Sequence, residues 1–179
     1  VDSSAASDVY KRQLEHHGER SEALEALSRL YAREGRWAEA AETLHRRLAS
    51  IEGPENAVPL LTELGQIYGE RLRDVDHAIA AWKELARLVP GHEGATKALR
   101  DAYVAGSRWD ELTELYVGQG GTAALVDVLQ AAADRVADVA ERVTLYRRVA
   151  DLCRDELGEP ERALKALERT LAIAPEMLE

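Results

Sequence analysis

The chain has no phenylalanine, one cysteine and five prolines in 179 residues, and the shortages are informative. A lone Cys153 cannot close an internal disulfide, which makes a reducing cytoplasm the expected compartment. Few prolines among much Ala, Leu, Glu and Arg describe a helical globular chain. No apolar run approaches the ~20 residues needed to span a bilayer, so membrane insertion is not expected. No secretory signal is visible, although the chain starts at Val1 and leaves open a segment upstream. No stretch of Lys or Arg stands against the formal charge of −10 and pI near 5.1. Such a surface repels a phosphate backbone, and no nucleic-acid partner is expected.

What is present fits one folded body, with 46% hydrophobic and 31% charged residues. The opening SSAASDVYKRQ (Ser3 to Gln13) reads in two ways. It resembles translated adapter sequence at the end of assembled reads; alternatively Asp8 to His17 is the last helix of a preceding repeat, with Tyr10 and Leu14 on its buried face. Residues 1–20 are therefore expected as a tail or partial helix, and 21–179 as a single helical domain.

From Ser21, placed as an N-cap, Leu24, Leu27 and Tyr31 recur at the i, i+3, i+7 spacing of one helical face. Gly35 stops that helix, and Trp37, Ala40, Ala41, Leu44 and Leu48 start the same periodicity again. So short a connection makes the two helices antiparallel neighbours. Asn56 is expected to cap the next helix, with Pro59 in its first turn and Leu61, Leu64 and Tyr68 on its face. Asp74 to Asp76 opens the partner, which carries Ala78, Ile79, Trp82 and Leu85 and ends before Pro90. A third pair starts at Glu93 with Leu99 and Tyr103. The expected hairpins cover about 21–50, 56–89, 93–117 and 139–173, with an extra helix over 122–137.

Two internal offsets support this division. LYAREGRWAEAAETL (from Leu30) returns as AYVAGSRWDELTELY (from Ala102), so that Trp109 follows Trp37 by 72 residues. Pro175 follows Pro90 by 85, and 59–90 overlay 144–175 without a gap. Leu60, Leu72, Ala78, Ala81 and Pro90 then meet Leu145, Leu157, Ala163, Ala166 and Pro175. The two offsets differ by an insertion at roughly 109–121, where an irregular extra helix should interrupt the stack.

Leu64 to Tyr68 (LGQIY), with Ala78, Trp82 and Pro90, resembles the tetratricopeptide pattern of L-G-x-x-Y, Ala, an aromatic and a closing Pro. Looser copies use Leu27, Tyr31, Ala40 and Leu44; Leu99, Tyr103 and Tyr116; and Ala163, Leu167 and Pro175. Cys153 stands in the last copy where Tyr68 stands in the second. The phenylalanine-free text is similar to fragments of long bacterial repeat arrays. The resemblance implies an all-α, right-handed α-solenoid of stacked antiparallel helix pairs, whose concave wall is lined by the first helix of each pair. That wall would display Glu22, Glu25, Arg29 and Arg33; Thr62, Gln66 and Glu70; Lys97 and Asp101; and Arg147, Asp151, Arg154 and Asp155. A wide, shallow surface suits a protein or peptide segment better than a small substrate. The expected function is a noncatalytic interaction scaffold. The alternative is a structural or regulatory portion of a larger multidomain enzyme or of a secretion or assembly machine, with no ligand site of its own. Family members that clamp a terminal carboxylate use lysines, an arginine and two asparagines; Glu25, Arg29 and Gln66 depart from that set.

Other chemistry is thinly represented, and no cofactor, metal or catalytic site is expected. Glu42-x-x-His45 has a metal-sharing spacing, but its one echo, Asp74-x-x-His77, lies at a helix start where the carboxylate serves as a cap. His16 and His17 point about 100° apart on a helix, and His92 sits in a turn. Cys153 continues the face of Val149 and Leu152, as a buried inert thiol does. GQGGT before Thr122 lacks the strand and the Lys-Ser/Thr ending of a phosphate loop and reads as a joint. Trp37, Trp82 and Trp109 recur at structural spacing and are expected as packing wedges.

Overall fold

A computed structural model describes residues 21–51, 53–118 and 120–175. The two readings of the N-terminal segment, the histidines His16 and His17, and the Ser21 side chain lie outside what is described. The described residues form nine α-helices and no strand: α1 (Ser21–Arg33), α2 (Trp37–Ser50), α3 (Pro54–Gln66), α4 (Val75–Leu88), α5 (Glu93–Ala105), α6 (Trp109–Val117), α7 (Thr122–Ala133), α8 (Val139–Asp155) and α9 (Pro160–Ile173). The architecture is the all-α helical repeat of antiparallel pairs. The chain divides into two compact units, Val1–Ala102 and Tyr103–Glu179.

In the first unit α1 reverses into α2 within three residues. Gly35 adopts φ 72°, which lets the Arg36 amide reach back to the Tyr31 carbonyl at 2.9 Å. The apolar stripes then close on one another: Leu27 and Tyr31, Ala40, Ala41 and Leu44, Leu60, Leu64 and Ile67, and Ala81 share one core. Trp37, Tyr68 and Leu72 pack half-buried against it. A neighbouring cluster joins Ala57, Leu61, Leu85 and Ala95, with Trp82 against it.

Helix α3 begins earlier than its sequence suggested. Pro54, not a residue after Asn56, is the first helical position, and Gly53 (φ 88°) caps it. Proline is favoured at that position because its missing N–H would have no intrahelical acceptor. Asn56 is therefore inside the helix, and Pro59 lies beyond the first turn.

A second difference lies at the other end of α3. The helix widens into a π-helical segment, Ile67–Leu72, that ends at Arg73 in the left-handed conformation. The Asp74 amide there donates to the Tyr68 carbonyl at 2.8 Å. Asp74 then caps α4, its carboxylate accepting from the His77 amide at 3.1 Å.

In the second unit α8 packs against both α7 and α9. Leu125, Val126 and Leu129 from α7, Val143, Leu145, Tyr146, Val149 and Cys153 from α8, and Ala163, Ala166 and Thr170 from α9 are buried. The short α6 is tied to α8 by Trp109, whose indole N–H donates to Glu141 at 2.9 Å, and by an Arg148–Asp110 ion pair. Asp138 caps α8 through the Glu141 amide at 2.7 Å, and Pro160 opens α9.

Candidate binding surfaces

The polar residues read from the first helices of each pair occupy stripes away from the buried faces. Glu22, Arg29 and Arg33 on α1, Gln66 and Glu70 at the end of α3, Lys97 and Asp101 on α5, and Arg147, Asp151 and Arg154 on α8 are exposed. Glu25 and Thr62 are half-buried. Glu25 is also engaged: it pairs with Arg29 along α1 and accepts from Arg47 Nη2 of α2 at 2.5 Å. The Thr62 hydroxyl donates to the Val58 carbonyl at 2.8 Å. Asp101 accepts from Arg100 Nε at 2.9 Å, and Arg154 bridges Asp151 at 3.0 Å and Asp155 at 2.7 Å. The flanking carboxylates hold the Arg154 guanidinium above its ordinary pKa, Asp155 contributing most.

The two Glu/Asp-x-x-His motifs meet across a tyrosine instead of a metal. His45 Nε2 lies 3.1 Å from the Tyr68 hydroxyl, and the His77 ring stacks on Tyr68 at 5.0 Å between centroids. His77 Nδ1 faces Asp74 Oδ2 at 2.8 Å, so the Asp74 side chain holds both the backbone and the ring of the same histidine. Hydrogen bonding from the His77 amide, before any other cause, lowers the Asp74 pKa. Desolvation raises that of Tyr68, with Asp74 adding to it. Glu42 is exposed, and among the described residues no three His, Cys, Asp or Glu side chains gather as a metal site.

His45 carries a pH dependence. Burial first, and repulsion from His77 second, lower its pKa below the ordinary value. The fold therefore favours neutral His45, whose contribution is complete above about pH 6.5 and lost as the pH falls from there through the lowered folded pKa. Thermal midpoints at pH 7.5 and 5.5 should fall more for the native chain than for His45→Gln. Equal falls would remove His45 from the account.

In the second unit a groove of about 410 Å³ opens between α7 and α9. Arg162 closes one end, its Nη2 2.7 Å from Asp127 and its Nη1 3.0 Å from Glu159. Arg169 closes the other, 3.4 Å from Asp134 and with its guanidinium 5.6 Å from the centre of the Tyr146 ring. The Tyr146 hydroxyl also donates to Asp134. Gln130 and Lys165 line the middle. None of the wall residues read from the sequence lines this groove, which lies between helices that are not the first of their pairs. A search along first helices could not have found it; the Arg162, Lys165, Arg169 spacing of i, i+3, i+7 was the available signal.

Two remaining candidates are occupied by structural work. Cys153 is fully buried, and desolvation raises its pKa above that of an ordinary thiol. The Gly120 and Gly121 amides donate to the Val117 and Tyr116 carbonyls at 3.0 and 2.9 Å, turning α6 into α7. Those amides are not offered to an anion.

Comparison with known proteins finds a family model, the tetratricopeptide repeat, matching residues 23–58. No curated protein matches the chain. Among solved structures, YrrB, described as a TPR protein with an unusual peptide-binding site, is 15% identical with a TM-score of 0.48, over 98% of this chain and 80% of its own. MamA is 16% identical with a TM-score of 0.45, over 98% of this chain and 90% of its own.

Proposed function

Starting from a chain whose residues 23–58 match the tetratricopeptide repeat, we propose that it is a noncatalytic scaffold that binds a peptide or protein segment. In each unit, taken by itself, such a segment lies along the polar stripes of the first helices. In the first unit these are Glu22, Glu25, Arg29 and Arg33 of α1, Thr62 and Gln66 of α3 with Glu70 of the π-helical segment, and Lys97 and Asp101 of α5. In the second they are Arg147, Asp151 and Arg154 of α8. The observation that supports this reading most is on α1: Arg29 and Arg33 are exposed one turn apart, on a helix whose other face, with Leu24, Leu27 and Tyr31, is buried. The buried face fixes the helix, and the guanidiniums stand ready to engage backbone carbonyls or acidic side chains of an extended segment. With Glu25 half-compensating Arg29, Arg33 carries the freer charge, so recognition is polar and of moderate strength.

A phage-displayed peptide library selected on the folded chain tests this. Selected peptides should lose at least about tenfold in affinity on Arg29→Glu with Arg33→Glu, the size expected when charge-assisted hydrogen bonds worth about 1.5 kcal/mol or more are removed. Lys83→Glu, on α4, should leave binding unchanged. Loss on Lys83→Glu alone, or no loss on the double reversal, overturns the reading.

A further inference from the structure

The internal repeat supplies its own control for the α7–α9 groove. Advancing by 85 residues carries Glu42 to Asp127, His45 to Gln130, Tyr68 to Cys153, Asp74 to Glu159 and His77 to Arg162. The framework is the same in both units: an acidic residue before the second helix of a pair holds the residue three positions later, at 2.8 Å for Asp74 and His77 and at 3.0 Å for Glu159 and Arg162. The filling differs. In the first unit the Tyr68 ring packs against both histidines, with its hydroxyl 3.1 Å from His45 Nε2. In the second, a thiol replaces that ring, and Gln130, at the position of His45, has no such hydroxyl to meet.

Five further positions lining the groove change character at the same offset. Arg46, Ala49, Leu61, Ala80 and Glu84 in the first unit become Ala131, Asp134, Tyr146, Lys165 and Arg169 in the second, which moves the cations from the α7 side of the groove to α9. Packing alone does not ask for these changes, since the first unit buries its core without them. Arg162 and Arg169 are compensated by Asp127 and Asp134 at the two ends. Those ends are seven residues apart on each helix, about 10 Å at 1.5 Å per residue. Between them Lys165 is exposed, with no described ion-pair partner, and Gln130 faces the same opening. The result is one uncompensated cation and one amide donor over a floor of Ala131, Ala166 and Tyr146.

We propose that this groove receives an aspartate or glutamate side chain from a protein partner, its carboxylate held by Lys165 Nζ and the Gln130 amide. Asp127 and Glu159 engage Arg162, and Asp134 engages Arg169, so Lys165 is the one lining cation with no described ion pair, and a single carboxylate suffices to meet it. A chain of net charge −10 gives no general attraction to acidic peptides, so any saturable binding of one must be local. No residue of the α1, α3, α5 or α8 stripes lines the groove, and the proposal does not depend on them.

The test is fluorescence anisotropy on the full chain at 0.15 M salt, with a labelled ten-residue oligoglutamate as probe, oligoglutamine as neutral control and glutarate as free competitor. Oligoglutamate should bind saturably and oligoglutamine should not. Lys165→Gln should weaken binding at least about tenfold, the cost of losing one charge-assisted contact, and Gln130→Ala several-fold. Both residues lie on the surface of their helices, and circular dichroism checks that the variants fold. Lys83→Gln and the Arg29→Glu, Arg33→Glu pair should leave binding intact, so failure of the stripe reading and failure of this one are distinguishable. Absence of saturable binding, equal loss on Lys83→Gln, or glutarate binding as tightly as the peptide would each overturn the proposal.

Discussion

Gly65→Ala should destabilise the chain, although alanine is the better helix former. A Cβ built at Gly65 would lie 2.3 Å from Trp82 Cε2, 2.6 Å from Cζ2 and 2.8 Å from Cδ2. No ordinary contact is so short, and an indole held against Leu61, Leu85 and Ala95 cannot yield as the tip of a flexible side chain does. Overpacking of this kind costs about 1–3 kcal/mol or more, against a helix-propensity gain of about 1 kcal/mol. The net expectation is a loss of about 1–2 kcal/mol, or a drop of roughly 2–8 °C in thermal midpoint for a chain of this size, because the ring cannot move aside cheaply. Two further readings identify the mechanism. Trp82 emission should shift to the red as the ring is pushed outward. In a Trp82→Leu background, where the obstructing ring is gone, the same alanine should be neutral or stabilising. A Gly65→Ala variant that melts at or above the native midpoint would mean that the helices do not approach one another here through the indole.

This contact also shows what could be read before any coordinates. The spacing of Gly65 and Trp82 is a packing statement, because a missing side chain on one helix and a large ring on the next are complementary only if the two meet. The apolar stripes of Leu24, Leu27 and Tyr31, and of Ala40, Ala41 and Leu44, were legible for the same reason: period 3.6 is imposed by the face that must be buried. The start of α3 was not, because Asn56 and Pro54 both carry initiation signals and the choice depended on the left-handed Gly53. The π-helical Ile67–Leu72 was illegible too. Its extra residue per turn leaves the apolar pattern of Ile67, Tyr68 and Leu72 readable as an ordinary helix, and what distinguishes it is the long-range meeting of Tyr68 with His45 and His77. The polar stripes were visible as the complement of the buried faces. The α7–α9 groove was not, since its lining combines positions 35 residues apart, such as Asp127 with Arg162, that only tertiary packing brings together.

Leu44→Ala should be the most damaging simple truncation in the first unit. Leu44 is fully buried in a core that also contains Leu27 and Tyr31 from α1, Leu60 and Leu64 from α3, and Ala81 from α4. Removing three carbons from a fully buried site on a helix packed against α1 and α3 leaves a cavity that backbone movement can only partly close. The expected loss is about 2–5 kcal/mol, set by how far the surroundings relax. Ala40 and Ala41 beside it argue for the upper half of that range, because their methyl groups have no freedom to swing into the void. The repeat provides a second measurement of the same quantity. Leu129 stands 85 residues on, is equally buried, and occupies the same place in α7 that Leu44 occupies in α2. Leu129→Ala should therefore lose a comparable amount. Leu164→Ala, on a side chain 58% exposed, should change stability by no more than about 0.5 kcal/mol. Urea titrations of the three variants give the comparison directly. Similar midpoints for Leu44→Ala and Leu164→Ala would show that α2 is not clasped between its neighbours. A loss confined to Leu44→Ala, with Leu129→Ala near native, would show that the two copies share a sequence pattern without sharing a packing arrangement.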